Sequence, residues 1–435
     1  MRTTLRIPTL LGLFATPLLA QGTEGKPPTT EWNAPGVRKV TLSGQYRLRY
    51  ENQIDLDLND NNRPDTNDFF TQRARLGVGL EFSDRLTAML QLQDVREWGE
   101  EASTLDDAAE GLDMHQAWAE LKQTPGLGGT TRLGRTEFAL GDHRLVGTLD
   151  WKSQARSFDG LVQTWKCDSG SSLQAWAFQV RETLMPATVN DDQWFAGLQA
   201  SGSCCENTTA DLYLMLLHDD GLTPGTSQNR FTLGTRWVRG AGTAWEFGLE
   251  AATQFGEQSG DDIPIGDCYA AHAHVTRRFP CESKPWARLE LNAASGDDPN
   301  TADRERFANL FPTAHAHWGM LDLALWENML NPMLQFGFKP CPTSDLALTW
   351  NWFRAMEGRD SFGGPNGTLI AAGQTDSRTI GNEVDLVWTR QLDLGTTAKT
   401  AVQLGYGVFL PGAAPEAVGR DTTGQFAYAQ FDLRF

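Results

Sequence analysis

Long hydrophobic runs are almost absent from this sequence. A membrane-spanning helix needs about 20 consecutive apolar residues, and the only comparable stretch is residues 7–20. This stretch follows two positive charges, Arg2 and Arg6, and small residues stand at Ala20 and Gly22. The pattern predicts a secretory signal peptide over residues 1–22. Because the stretch is too short for a membrane anchor, we expect an exported chain without spanning helices.

Positive charge is also scarce. The chain has 37 Lys and Arg residues against 55 Asp and Glu residues, which gives a formal net charge of -18. Such a chain repels nucleic acid, so we predict no nucleic-acid partner. Acidic runs such as Asp261-Asp262 and Asp297-Asp298 fall between predicted strands. There they would face solvent or bind divalent cations among lipopolysaccharide headgroups.

Recognisable catalytic motifs are missing. The sequence has no G-x-S-x-G elbow, no Walker loop, no H-E-x-x-H and no spaced pair of C-x-x-C motifs. Acidic pairs are numerous, which leaves a hydrolase as a distant alternative, but nothing singles out two carboxylates for acid–base chemistry. We therefore predict a protein that is not an enzyme and has no cofactor.

The sequence is rich in alternating segments. Between residues 40 and 51, apolar side chains such as Leu42 and Leu48 alternate with polar ones such as Arg47. A period of two over a dozen residues predicts a strand long enough to cross a membrane at a tilt. The mean hydropathy of -0.40 fits a membrane barrel, because only alternate residues contact lipid and the others face a polar lumen. The alternative is a soluble β-sandwich or propeller. The pattern returns in residues 74–82, 86–93, 245–251, 287–292 and 400–406.

The predicted connections alternate in length. Short joints such as 83–84 and 279–284 alternate with long ones such as 140–157 and 295–331. Outer-membrane barrels have short periplasmic turns and long extracellular loops. We therefore predict an all-β fold, a transmembrane antiparallel β-barrel of about 18 strands over residues 39–435 in the bacterial outer membrane. A periplasmic lead-in at residues 23–38 would precede it. The phase of the strands near 130–139 and 171–182 is ambiguous.

The last residues form a strand that ends in an aromatic side chain. Phe431, Leu433 and Phe435 alternate with Asp432 and Arg434. This pattern resembles the assembly signal of outer-membrane proteins. It predicts recognition by the barrel-assembly machinery and residence among outer-membrane lipid and lipopolysaccharide.

Several segments resemble the alginate export family of outer-membrane barrels. The resemblance covers roughly residues 40 to 435 and implies an 18-stranded barrel whose arginine- and lysine-rich constriction passes an anionic polysaccharide. Asn382 stands where the family pattern has histidine, and acidic loops would repel a uronate polymer unless cations intervene. The matching segments are residues 44–51, 73–77, 132–137, 141–147, 156–160, 294–298, 310–315, 381–386 and 405–412.

The resemblance implies pore-lining roles for Arg47, Arg49, Arg73 and Arg75, whose own alternation also points them inward. Arg144 and Arg156 lie in a matching loop segment that could fold into the lumen. Guanidinium groups stay charged and match carboxylate geometry, so this cluster would guide a polyanion. Each arginine could instead pair with a glutamate of the barrel wall.

These observations predict a channel that passes an anionic polysaccharide such as alginate. Its long loops, especially 295–331 and 355–379, are expected to narrow or gate the passage. Two alternatives remain open. One is a general or substrate-selective porin for small hydrophilic solutes in the same kind of barrel, and the other is a secreted soluble carbohydrate-binding β-protein.

Five of the six cysteines fall at predicted periplasmic turns, where an exported protein can form disulfides. We expect a bridge between Cys281 and Cys341 first, and one from Cys167 to Cys204 or Cys205 second.

Two histidine pairs, His272 with His274 and His315 with His317, have a spacing that on a strand could share a metal. The second pair lies in the family-like segment, which favours a structural role. We predict no metal site.

Overall fold

Eighteen strands form one antiparallel sheet that closes on itself. The computed structural model describes residues 35–59, 65–100, 112–182, 192–221, 227–258 and 263–435. The predicted signal peptide and most of the predicted lead-in lie outside these residues. The barrel strands are β1 (Lys39–Ile54), β2 (Thr66–Glu81), β3 (Leu86–Glu97), β4 (Asp113–Lys122), β5 (Thr130–Thr136), β6 (Phe158–Lys166), β7 (Ser172–Arg181), β8 (Gln193–Cys205), β9 (Thr208–Asp219), β10 (Gln228–Arg239), β11 (Trp245–Gln258), β12 (Ile263–Arg278), β13 (Trp286–Ala294), β14 (Met329–Cys341), β15 (Ser344–Arg354), β18 (Thr379–Leu392), β19 (Lys399–Pro411) and β20 (Gly424–Arg434).

The barrel closes where the first strand meets the last. β1 pairs with β2 on one side and with β20 on the other, in a register that runs from Gln45 opposite Arg434 to Ile54 opposite Gln425. Every strand therefore has two neighbours, and the sheet leaves no free edge. The predicted 18-stranded antiparallel barrel is confirmed.

Each strand presents an apolar face outward and a polar face inward. In β3, Leu90 is 45% exposed, whereas Gln93 is 4% exposed. Leucines that are exposed in the same way recur around the barrel, which is the surface that a lipid-embedded barrel presents. A soluble β-protein would bury these side chains against a second layer, so that alternative is excluded. The leucines are Leu76, Leu90, Leu133, Leu198, Leu249, Leu289, Leu334, Leu348 and Leu404.

The other elements of the described residues are short. β16 (Phe362–Gly364) and β17 (Gly367–Ile370) form a small hairpin, and α1 spans Ala413–Glu416. No helix of the described residues is both long enough and apolar enough to span a membrane.

The connections differ between the two rims of the barrel. One rim, here called the short-turn rim, carries turns such as 206–207 between β8 and β9 and 342–343 between β14 and β15. The opposite, long-loop rim carries the three longest described connections, at 137–157, 295–328 and 355–378. This asymmetry is typical of outer-membrane barrels and places the short-turn rim in the periplasm.

One of the two strands of ambiguous phase, β7, has apolar side chains on both faces. Inward from β7 and β8, Trp176 and Phe195 are 3% and 0% exposed. The ring of Phe138, in the 137–157 connection, lies 5.1 Å from the ring of Trp176. These inward aromatic residues pack against a loop inside the barrel, which removes the polar inward face that alternation normally shows.

A pair of adjacent substitutions tests the lipid contact of the outward face. Leu90→Arg should destabilise the barrel by about 2–4 kcal/mol, because a charge at the middle of the outward face enters hydrocarbon. Gln91→Arg, one residue along, should change stability much less, because Gln91 faces the lumen beside Gln116. Urea unfolding in lipid vesicles measures both. Equal losses of stability in the two variants would show that the two faces of the strand contact the same environment.

Candidate functional site

The four arginines predicted to line the pore form one group on the inward face of β1 and β2. We call Arg47, Arg49, Arg73 and Arg75 the arginine ladder. Arg47 stands opposite Arg73 in the register of the two strands. Like charges placed directly across a strand pair repel each other, so the group requires anionic or carbonyl partners close by.

The 137–157 connection supplies these partners. Arg47 donates to the carbonyl oxygens of Asp150 at 2.6 Å and Trp151 at 3.2 Å, and Arg49 donates to the carbonyl of Trp151 at 2.8 Å. Arg73 donates to the carbonyl of Ser153 at 3.3 Å. The connection therefore lies inside the barrel, against the wall at β1 and β2, and we call it the inserted loop.

One carboxylate of the inserted loop sits among several guanidinium groups. Asp150 Oδ1 lies 2.7 Å from Arg73 and 3.7 Å from Arg75, and its Oδ2 lies 3.7 Å from Arg434 of β20. Burial alone would raise the pKa of Asp150, but Arg73, Arg47 and Arg75 lower it below the ordinary value of an aspartate. Asp150 therefore stays ionised and is one of the anions of the ladder, together with Glu51, which pairs with Arg49 at 2.6 Å, and Glu137, which pairs with Arg75 at 3.3 Å.

The ladder is covered rather than open. Arg47 and Arg49 are each 3% exposed, Arg73 is 1% exposed, and the side chain of Arg75 is 7% exposed. The inserted loop therefore covers the arginines that were predicted to line the pore. Sequence analysis placed these arginines on the inward face, but it did not foresee that backbone carbonyls would occupy their donors.

Trp151 ties the inserted loop to its surroundings. Arg49 Cζ lies 3.9 Å from the centre of the indole ring, and His315 stacks on the ring at 3.7 Å with an interplanar angle of 7°. His315 belongs to the 295–328 connection, so both faces of the indole are occupied by protein. The ring is a structural contact between the two loops and is not free to stack on a sugar.

Arg156 also joins the two loops. Its guanidinium donates to the carbonyls of Gly147 at 2.9 Å and Pro312 at 3.1 Å, and to the carbonyl of Phe311. Burial lowers the pKa of Arg156 to about 10, so the group remains charged at neutral pH. The structure therefore places Arg156 inside the loop assembly, where it fixes backbone and has no contact with the ladder.

Arg144 lies against a different part of the wall, at β13. It is fully buried and contacts Asp142 at 3.3 Å, Glu290 of β13 at 3.2 Å and Asn292 at 3.0 Å. Burial lowers the pKa of Arg144, but the charges of Asp142 and Glu290 more than offset this and raise it. Because the inserted loop touches β1 and β2 at one end and β13 at the other, it crosses the lumen.

His317 adds a neutral contact at the same place. Its Nε2 lies 2.9 Å from the carbonyl oxygen of Asp142. Burial lowers the pKa of His317 to about 3, so the ring is neutral at physiological pH. The second histidine pair thus has the structural role that its sequence context favoured.

Two cavities open toward the long-loop rim. One, of about 320 Å³, is lined by Arg49, Glu51, Lys152 and Asp322 among others. The second, of about 370 Å³, is lined by Gln93, Asp113, His115 and Arg135 among others. Both lie on the side of the lumen formed by β1 to β6.

The cysteines are all free in the structure, so neither predicted disulfide is formed. Cys341 Sγ lies 3.5 Å from Thr343 Oγ1 within its own turn, and Cys204 Sγ lies 3.5 Å from Cys205 Sγ. Both of these sulfur contacts are to a neighbour one or two residues away in the chain. The buried Cys268 contacts the carbonyls of Arg304 and Arg306.

One group of residues has the spacing of metal ligands among those that the structure describes. His272, His274 and Glu290 offer ligand atoms within 4.8 Å of one another. Arg288 and Arg144 both bind the carboxylate of Glu290, at 2.8 Å and 3.2 Å. Two guanidinium groups at that carboxylate oppose a divalent cation, so the arrangement is better described as an ion-pair network.

Sequence reasoning missed three residues of the site. Asp150 and Trp151 carry no local signal, because their importance depends on where the loop lies in the barrel. Arg434 was noted only as part of the closing strand, yet β20 brings it beside the ladder. The loops expected to narrow the channel were 295–331 and 355–379, but the one that covers the ladder is 137–157.

Comparisons with known proteins agree with this architecture. The family model for alginate export matches residues 38–428. OccD3 (OpdP) of Pseudomonas aeruginosa is similar in fold, with a TM-score of 0.57, 12% identity, and coverage of 94% of this chain and 95% of that one. OccAB4 of Acinetobacter baumannii gives a TM-score of 0.55 at 10% identity, covering 92% of this chain and 99% of that one.

OpdL of P. aeruginosa gives a TM-score of 0.59 at 11% identity, covering 91% of this chain and 98% of that one. No curated protein sequence matches this chain significantly. The family and the fold are those of bacterial outer-membrane channels, which contact membrane lipid and transported solutes. This chain belongs to the alginate export family.

Proposed function

We propose that this outer-membrane channel passes an anionic polysaccharide with carboxylate groups, such as alginate, along the arginine ladder. The observation that supports the proposal is the position of Asp150, whose carboxylate is held by Arg73, Arg75 and Arg434. The lumen thus contains a preformed carboxylate site, which an internal side chain occupies. A uronate unit of a polysaccharide carries the same group.

Transport would proceed by exchange of partners on the ladder. When a uronate carboxylate replaces Asp150, each guanidinium keeps an oxygen partner throughout, so no buried charge is left unpaired. Polymer carboxylates and hydroxyls would likewise replace the carbonyls of residues 150–153. Several arginines in a row favour passage, because the polymer can move from one to the next and is not held tightly at a single site.

Single-channel recording in planar bilayers tests this proposal. The wild-type channel should prefer anions, and short uronate oligomers should produce transient current blocks. Arg75→Gln should shorten these blocks, because the side chain of Arg75, at 7% exposed, is less covered than those of Arg49 and Arg73. Loss of one charge-assisted contact worth about 1.5–3 kcal/mol predicts residence times roughly tenfold or more shorter.

Arg277→Gln is the matched control. It removes the same charge, but Arg277 faces outward, with its guanidinium 4.8 Å from the ring of Trp245. Block duration should not change in this variant. Cation preference in the wild type, or blocks that respond equally to both substitutions, would contradict the polyanion proposal and leave only the channel.

A porin for small hydrophilic solutes is a second candidate. The cavities of about 320 and 370 Å³ have the size of a small solute rather than of a polymer, and their linings carry both signs of charge. In this alternative the inserted loop would be a fixed constriction. Conductance blocked by monosaccharides and unaffected by oligomers would favour it.

A further inference from the structure

Charge is unevenly distributed between the two rims of the barrel. At the long-loop rim, exposed carboxylates far outnumber exposed cations among the described residues. Examples are Asp65, Glu97, Asp113 and Asp376. At the short-turn rim, exposed lysines and arginines outnumber exposed acids, although the whole chain has a net charge of -18. A polyanion therefore meets a more favourable potential at the short-turn rim.

Three lysines of the short-turn rim face the lumen. Lys122 lies two residues beyond Glu120, whose carboxylate binds Arg132 on the inward face. Lys166 and Lys399 likewise lie two and four residues from Thr164 and Gln403, which face inward on the same strands. Alternate residues of a strand share a face, so all three side chains lie at the inner edge of the barrel mouth.

These lysines are available for an incoming ligand. All three are exposed. Within the ranges that the structure describes, none of them has an ion-pair partner, unlike Lys339 of the same rim, which binds Asp345 at 2.8 Å. An unpaired, hydrated ammonium group at a channel mouth attracts anions without first having to leave an internal partner.

The lysines are on the same side of the lumen as the arginine ladder. β19, β20 and β1 to β6 are consecutive neighbours in the barrel. Lys399 stands opposite Arg434, Arg434 opposite Gln45, and Gln45 opposite Arg75. One row of opposing residues thus leads from the rim to the ladder, with neighbouring positions about 5 Å apart.

We propose that Lys122, Lys166 and Lys399 form a binding site at the periplasmic mouth, where a segment of the anionic polysaccharide is captured before it reaches the arginine ladder. The proposal rests on the proposed function, because it takes the polyanion as the solute. Its consequence is directional. Capture is faster from the short-turn side, and the acidic long-loop rim disfavours entry from the other side.

Phospholipid headgroups carry the same negative charge as the polysaccharide. The structure distinguishes the cations that lipid can reach from those that a solute in the lumen can reach. Cations that face lipid lie on the outer surface of the same rim. Arg239 and Arg390 lie on the same outward faces of their strands as the exposed Trp237 and Leu386. Arg277 stacks on the outward Trp245. The three lysines face inward, so a solute in the lumen reaches them and bilayer lipid does not.

Side-specific blocking in planar bilayers tests the proposal. With the channel inserted in known orientation, uronate oligomers added at the short-turn side should block about tenfold more often than oligomers added at the long-loop side. The triple variant Lys122→Gln, Lys166→Gln and Lys399→Gln should abolish most of this difference while leaving block duration unchanged. Raising the salt concentration should weaken the wild-type difference, because it screens exposed charges.

The matched control removes three charges from the outer surface of the same rim, in Arg239→Gln, Arg277→Gln and Arg390→Gln. Its blocking frequency should equal that of the wild type. Equal blocking from both sides, or an equal effect of both triple variants, would overturn the capture site while the channel function stands. Absence of blocking from either side would instead count against the polysaccharide as solute.

A binding measurement in detergent tests the same capture site and does not require an open channel. Fluorescence anisotropy with a labelled uronate oligomer should show binding that the lysine triple variant weakens by roughly threefold to tenfold. The arginine triple variant should bind as the wild type does. Unchanged binding in the lysine variant would overturn the proposal.

Discussion

Asp150→Asn is expected to raise the open fraction of the channel in single-channel recordings. The substitution keeps the size of the side chain and removes its charge. Arg73, Arg75 and Arg434 then lose the anion that they share. A hydrogen bond to a charged group contributes about 1.5–3 kcal/mol, so the equilibrium between the docked and released inserted loop should shift on the order of tenfold or more.

The same variant should bind uronate oligomers more tightly than the wild type. In the wild type, an incoming carboxylate must compete with Asp150 for the ladder, and the fraction of competent channels limits the apparent affinity. Removing the internal competitor increases that fraction. Anisotropy with a labelled oligomer measures this effect separately from conductance.

Asp159→Asn provides the control for both measurements. Asp159 is an exposed carboxylate at the start of β6 that binds Arg135 at 2.7 Å and has no part in the ladder. The open fraction and the oligomer affinity of the Asp159→Asn channel should equal those of the wild type. If Asp150→Asn behaved like Asp159→Asn, the backbone carbonyls alone would hold the inserted loop, and Asp150 would not be a stand-in for substrate.

Arg144→Ala should produce the largest loss of stability among the substitutions considered for the loops. Arg144 is fully buried and faces the buried carboxylates of Asp142 and Glu290. Removing one partner of a buried ion pair leaves uncompensated charge and costs about 3–5 kcal/mol. The shift between folded and unfolded bands on unboiled gels, followed over a temperature series, measures the loss.

Arg135→Ala is the appropriate comparison for this variant. Arg135 also binds a carboxylate, Asp159, but both side chains are substantially exposed. Exposed ion pairs contribute only about 0.2–1 kcal/mol, so the unfolding temperature should change little. In Arg144→Ala, replacing Asp142 with asparagine as well should recover part of the loss, because Arg144 is the ion-pair partner of Asp142 among the described residues, whereas Glu290 keeps Arg288. A double variant no more stable than Arg144→Ala would argue against the electrostatic cause.

The sequence was sufficient to predict the number of strands, the side chains that face inward and the rim that carries the short turns. In β1, the alternation of Leu42 and Leu48 with Arg47 and Arg49 was sufficient to assign faces, because lipid and lumen impose opposite requirements on successive residues. The prediction became ambiguous in β7, where Trp176 and Phe178 face inward. There the inner environment is a packed loop and not water, so the pattern that reports polarity is lost.

The disulfides show a different limit of sequence reasoning. Spacing correctly placed Cys281 and Cys341 at the short-turn rim, where Cys281 lies in a turn and Cys341 ends β14. Placement on one rim does not bring two sulfur atoms together, because a disulfide requires Cβ atoms about 4 Å apart with a defined dihedral angle. Turn conformation decides that, and it is not encoded in the position of a cysteine along the chain.

The sequence by itself determined the barrel, its lipid-facing surface and the inward position of the arginine ladder. These features follow from a local rule, the alternation of side chains between two solvents. Only the tertiary structure decided what the ladder contacts. Asp150 is distant in sequence from Arg73 and Arg434, and their meeting depends on closure of the barrel and on a loop that folds back across it. Local periodicity carries no information about such contacts, so the carboxylate that occupies the site was visible only in the folded molecule.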